Sequence, residues 1–136
     1  MHLVKSLQYL ALAGVLMVSS CVKDDEDGPG VDSRDKFVGP WTCKEKLTTN
    51  GKIEESSFPI TISKSDSSDN GIIIKNFGNI GQFTSTLAEV SGNSISIKYQ
   101  PVINFTVSGS GSYSNEKISF TYTLDGDNAT ASCEKQ

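Results

Sequence analysis

From Phe37 to the C terminus, apolar and polar positions alternate in short bursts separated by turn-forming residues, and no apolar stripe of helical period interrupts them. The clearest burst sets Ile118, Phe120, Tyr122 and Leu124 against Ser119, Thr121 and Thr123, the period of two of a half-buried strand. Ile95, Ile97 and Tyr99 alternate in the same way with Ser94, Ser96 and Lys98. Pro101 interrupts, after which Ile103, Phe105 and Val107 form the next inward set. A last segment, Asn128 to Glu134, places Ala129, Ala131 and Cys133 on one face. Upstream, strands are predicted over Gly39 to Thr48, Ile53 to Lys64, Gly71 to Asn76 and Gln82 to Val90. Phe58, Ile60 and Ile62 share a face of the second of these, and Pro59 marks a bulge or an edge there. Asn50-Gly51, Ser91-Gly92-Asn93 and Asp125-Gly126-Asp127 supply tight turns. Ser65 to Asn70 reads as a polar loop, and Gly109-Ser110-Gly111 as a bend within a strand.

Eight short segments joined by tight turns predict an all-β fold, an antiparallel up-and-down meander closed or nearly closed into a barrel. Closure is a natural solution because it leaves no unpaired edge strand. A two-sheet β-sandwich fits the same alternation and is the alternative.

The chain begins differently. Lys5 precedes a charge-free apolar stretch, Tyr9 to Val18, followed by small residues, the anatomy of a secretory signal. About ten apolar residues fall short of the roughly 20 that a spanning helix requires. Val18-Ser19-Ser20-Cys21 resembles the bacterial lipobox, in which the cysteine is acylated and becomes the first mature residue. Acids follow at once, and Cys21-Val22-Lys23-Asp24-Asp25-Glu26-Asp27 resembles the surface-export signal of Bacteroidetes-type lipoproteins. These resemblances imply a signal peptide over 1–20, a lipidated acidic tether over 21–35 and a folded domain over 36–136. They also imply a membrane partner reached through the lipid on Cys21. The protein would then sit in the outer membrane on the cell surface, with the periplasmic face as the alternative.

Lipidation of Cys21 leaves Cys43 and Cys133 as the remaining cysteines in an oxidising compartment, which predicts a disulfide. Strand parity agrees. Cys43 falls in phase with Trp41 and Leu47, and Cys133 with Ala129 and Ala131, so a bridge would clasp the first strand to the last.

Gly39-Pro40-Trp41, preceded by Phe37-Val38, resembles the opening of lipocalin-like domains in small bacterial lipoproteins. The resemblance implies a calycin-type barrel with Trp41 packed across its closed end. The domain is shorter than a typical lipocalin, which leaves less interior.

Charge and composition remove several chemistries. The full chain carries a formal charge of −4, but from Lys36 onward nine lysines nearly balance ten acids, so no basic face exists for nucleic acid. The one histidine, His2, lies in the signal segment, which removes Ser-His-Asp, Cys-His and histidine-metal chemistry from the folded domain. No phosphate loop or dinucleotide fingerprint is present, so no cofactor and no metal are expected. Glu45 and Glu89 are the best pair for carboxylate catalysis, because parity sets each beside inward-facing neighbours. A solvated strand-end or mouth position is the plainer assignment for both, and the protein is not expected to be an enzyme. Asp125-Gly126-Asp127-Asn128 resembles part of a calcium loop but lacks its distal glutamate, so a hairpin turn is expected.

Binding remains. Trp41, Phe58, Tyr99, Phe105, Phe120 and Tyr122 are the residues expected to line an apolar cavity for a small ligand, or else to fill the core. Phe77, in a Gly/Asn-rich stretch, is either a plug at one barrel end or an exposed partner contact. A cavity above roughly 300 Å³ would point to a small apolar ligand. A filled barrel with an exposed aromatic patch would point to a surface protein partner, and a filled barrel with featureless loops to a structural or adhesion accessory.

Overall fold

The computed structural model describes residues 31–136; the expected signal peptide, Cys21 and most of the expected tether lie outside the described residues. The strands are β1 (Gly39–Thr49), β2 (Lys52–Lys64), β3 (Gly71–Lys75), β4 (Ser85–Ser91), β5 (Ser94–Val102), β6 (Phe105–Ser114), β7 (Lys117–Leu124) and β8 (Asp127–Lys135). A single 3-10 turn, Phe77–Asn79, lies between β3 and β4. Each strand pairs antiparallel with the next, and β8 returns to β1, so the meander closes as a barrel. The sandwich alternative is thereby excluded, and the architecture agrees with a lipocalin-like fold.

Closure is covalent as well as hydrogen-bonded. Cys43 and Cys133 lie directly opposite one another in the β1–β8 ladder and form a disulfide. The bridge spans 90 residues, which in a chain-entropy account stabilises the fold by about 4–5 kcal/mol. At the β1–β2 hairpin, Asn50 and Gly51 both adopt positive φ, 52° and 78°, as a two-residue turn of this hand requires.

Both ends of the barrel are stoppered. At the end where β1 begins, Phe37 and Trp41 are fully buried and the Trp41 indole N–H donates to the Phe37 carbonyl at 2.8 Å. Tyr113 meets both rings edge-on, with centroids 5.7 and 6.5 Å away. At the other end Phe77 turns inward from the β3–β4 connection, with ring centroids 5.0 Å from Phe120 and 4.5 Å from Tyr122. It is a plug rather than an exposed contact. Asn76 braces this loop, donating from Nδ2 to the Pro59 carbonyl at 2.8 Å and accepting the Gly81 N–H at 2.9 Å. The β2–β3 ladder has already ended at Thr61 and Lys75, so Pro59 occupies the unpaired edge that its missing N–H predicts.

Gly109 and Gly111 mark a close approach. They lie opposite Tyr122 and Phe120, and a Cβ on either would come within 2.5 Å of Tyr122 Cβ or 2.7 Å of the Phe120 ring. Two large aromatics on β7 thus fit because β6 presents no side chain beneath them.

Four expectations need correction. β4 begins at Ser85 rather than Gln82, because Thr84 is still folded back onto the Gly81 carbonyl. β5 runs through Pro101 to Val102 rather than stopping before the proline. Its ladder with β6 slips between Ile97 and Gln100, so that two residues, Lys98 and Tyr99, face Ser108 alone. This β-bulge inverts the parity downstream. Tyr99 is therefore 73% exposed instead of facing inward, and Val102 takes the inward position. Ile103 lies in the β5–β6 turn with φ of 60° and is 69% exposed, so β6 starts at Phe105.

Candidate functional site

The interior is packed by side chains from every strand, with Phe37 and Phe77 added from the connections. Of the residues expected to line a cavity, Trp41, Phe58, Phe120 and Tyr122 are buried in this core and Phe105 packs against it half-buried. Trp41 belongs to one end and the Phe120–Tyr122 pair to the other, where Phe77 occupies the space between strands. Tyr99 stands apart on the outside.

Among the described residues, one charged group enters the interior. Glu45 is only 5% exposed and faces inward, opposite Ser56 on β2 and Ala131 on β8. The small Ala129 and Ala131 leave room for its carboxylate to meet Tyr122 from the neighbouring strand. The Tyr122 hydroxyl donates to Glu45 Oε2, and the Ser56 hydroxyl donates to Oε1 at 3.3 Å. Burial raises the Tyr122 phenol above its ordinary range, and the hydrogen bond to Glu45 and its negative charge push in the same direction. Two hydroxyl donors therefore satisfy the carboxylate where solvent was expected to do so.

Glu89 does not join it. Its side chain lies on the outer face of β4, exposed, with Lys98 Nζ 3.9 Å from Oε2. One carboxylate points into the barrel and the other away from it, so the pair considered for glycoside chemistry is not assembled. Asp125 and Asp127 are occupied locally: Asp125 Oδ1 accepts the Thr106 N–H at 2.8 Å, and Asp127 Oδ2 accepts from Thr49 at 3.1 Å. This is a hairpin turn, as expected. Among the described residues no cluster of three or more acidic, cysteine or histidine side chains is placed to hold a metal ion.

The outer face is uneven. A trough of about 740 Å³ crosses β2, β1, β8 and β7 between two rows of outward side chains, Ser57, Lys44, Ser132, Ser119 and Glu55, Lys46, Thr130, Thr121. No large apolar side chain is exposed in it. The opposite flank is different. There β4 and β5 are registered only from Glu89–Ser96 to Ser91–Ser94, and they diverge above that point. The Gln100 side chain fills the gap, accepting the Leu87 N–H on Oε1 at 2.9 Å and donating from Nε2 to the Leu87 and Lys98 carbonyls, each at 2.9 Å. Its amide replaces the peptide group that a continuous ladder would have supplied.

Apolar side chains collect around this divergence. Leu87 on β4 is 57% exposed and Tyr99 on β5 73%, while Phe83, two residues before β4, is 96% exposed and Ile103, just after β5, 69%. Half-buried Ile73 lies beside Leu87 across β3 and β4. Exposed apolar groups gathered in one region mark an interaction surface more often than scattered ones do. Below them a groove of about 420 Å³ opens between β3–β5 and the 65–70 loop. Arg34 fixes that loop by donating from Nη1 to the carbonyls of Ser65, Ser68 and Gly71, at 3.2, 3.1 and 3.0 Å. Sequence reasoning missed this flank, since only the bulge turns Tyr99 outward and only the divergence of the strands gives Gln100 its partners. No family model and no curated protein matches the chain.

Proposed function

We propose that this protein is a lipid-anchored binding module of the outer membrane, displayed on the cell surface, that recognises its partner on the outside of the barrel without catalysis. The observation that carries this reading is the contrast between a stoppered, packed interior and a flank bearing exposed Phe83, Leu87, Tyr99 and Ile103. A small apolar ligand would have to displace Phe77 from its contacts with Phe120 and Tyr122 to enter. A partner on the outer face displaces only water. The anchor reading rests on Lys5, the apolar stretch and Val18-Ser19-Ser20-Cys21, and surface display on the acids that follow. The non-catalytic reading is supported by Glu45 and Glu89 pointing to opposite faces. The lipocalin-like family assignment rests on Gly39-Pro40-Trp41 and on the barrel.

Mass spectrometry should find acyl chains on Cys21 of the wild-type chain, and Cys21→Ala should lose them and leave the membrane fraction. Protease added to intact cells should remove the domain if it is displayed. For the outer-face reading, labelled full chain is applied to intact cells and extracellular matrix. Leu87→Ser combined with Tyr99→Ser should abolish retention while Tyr122→Phe preserves it. Equal retention of the outer-face variant and the wild type would overturn the reading.

A further inference from the structure

We propose that the groove between the 65–70 loop and β3–β5 is a carbohydrate site, taking a short run of a neutral glycan. The proposal rests on the outer-face reading and names the class of partner that the flank recognises. The groove's volume, about 420 Å³, falls within the range of small-ligand sites. Its chemistry has two parts. Leu87 presents an exposed apolar surface within the lining, and the exposed Tyr99 stands in sequence between the lining residues Lys98 and Gln100, at the margin of the groove rather than in its wall. Around them stand short polar groups: the hydroxyls of Ser65, Ser67, Ser68 and Ser96 and the carboxylate of Glu89. A sugar ring matches this division, with C–H groups on its face and hydroxyls on its rim, and an aromatic ring with a polar tip suits such an amphipathic surface.

Charge narrows the class. Glu89 and Lys98, the charged side chains in the groove's lining, lie 3.9 Å apart and offset one another. Arg34, Asp66 and Asp69 around the loop also carry both signs, so no charge of a single sign is gathered there for a phosphorylated, sulfated or cationic ligand. The backbone narrows it further. An extended peptide adding to a strand edge needs free main-chain N–H and C=O groups. At Leu87 both are already taken by the Gln100 amide, so recognition here falls to side chains. The site is also held in place before any ligand arrives. Arg34 ties two carbonyls of the loop and that of Gly71 at the start of β3, and Gln100 locks the strand gap, which lowers the ordering cost of binding. The Ser65 and Ser67 hydroxyls, 2.9 Å apart, reorient to donate or accept as a sugar hydroxyl requires.

The test is an amide chemical-shift titration of the full chain carrying Cys21→Ser, with malto-, xylo-, manno- and galacto-hexaoses as probes. At about 10 mM sugar, a Kd of about 1 mM leaves the site mostly occupied. At least one probe should shift the amides of Ser65 to Gly71, Leu87 and Ser96 to Gln100. Tyr99→Ala and Glu89→Gln should each weaken that binding about tenfold or more, with the rest of the spectrum unchanged. No shift at these residues with any probe overturns the carbohydrate assignment. Shifts that survive both substitutions overturn it equally. If the sugars fail but Leu87→Ser with Tyr99→Ser still abolishes retention on cells and matrix, the outer-face reading stands with a protein as partner. If both assays fail, both readings fall.

Discussion

The flank built from β7, β8, β1 and β2 and the flank built from β3, β4 and β5 belong to one barrel but are held together by different means. In the first, β1 pairs with β2 over eleven registered positions and with β8 over eight, and a disulfide crosses the second ladder. In the second, β2 and β3 share four positions and β4 and β5 only three. Where those ladders stop, Asn76 and Gln100 carry the hydrogen bonds that backbone would otherwise make. The first flank turns its large apolar groups inward except for Ile53 at the start of β2, which is 64% exposed beside the hairpin turn, and otherwise presents hydroxyls and charges outside. The second leaves Phe83, Leu87 and Tyr99 in water. A closed barrel therefore need not be uniform: covalent and ladder closure on one side lets the other diverge and present side chains for recognition.

Removing the clasp has the largest expected effect on this division. Cys43→Ala with Cys133→Ala should lower unfolding stability by about 4–5 kcal/mol in denaturant titration. A loss below about 1 kcal/mol would mean that the β1–β8 ladder closes the barrel unaided. Phe77→Ala deletes the plug that fills the space beside Phe120 and Tyr122, and should cost about 3–5 kcal/mol. Tyr122→Phe removes one of two donors to buried Glu45 and should cost about 1–3 kcal/mol.

The same phenol predicts a pH dependence. Its pKa is raised on folding from the ordinary 10.0, so its contribution is full below pH 10 and is lost as pH rises above it, because only the unfolded chain ionises readily. Wild type should lose stability above pH 10 more steeply than Tyr122→Phe, and parallel profiles would refute the assignment. Gln100→Ala should cost only about 1 kcal/mol, because water replaces the amide at an exposed gap. Its sharper readout is faster exchange of the Leu87 amide. Tyr99→Ser should fall within about 0.5 kcal/mol of wild type, as expected for a ring in water.

Much of the first flank was legible in the sequence. Period-two alternation located β7 and β8, and cysteine parity placed Cys43 opposite Cys133. Phe77 was legible as a choice between plug and contact, and packing decided it. The second flank was not legible in the same way. Ile97-Lys98-Tyr99-Gln100-Pro101-Val102 contains no glycine or asparagine to announce a bulge, so Tyr99 counts as inward until the register is known. Glu45 was correctly placed by parity, yet its burial depends on Ala131 and Tyr122 arriving from β8 and β7, information that resides in the register. Gln100 carried no signal because its partners exist only where β4 leaves β5.

Residue-resolved native-state hydrogen exchange tests the division most directly. The account predicts that the hydrogen-bonded amides of β1, β7 and β8 exchange only through global opening, while the Leu87 amide, held by Gln100 alone, exchanges roughly two orders of magnitude faster through local opening. Protection of Leu87 equal to that of Cys43 and Phe120 would contradict it.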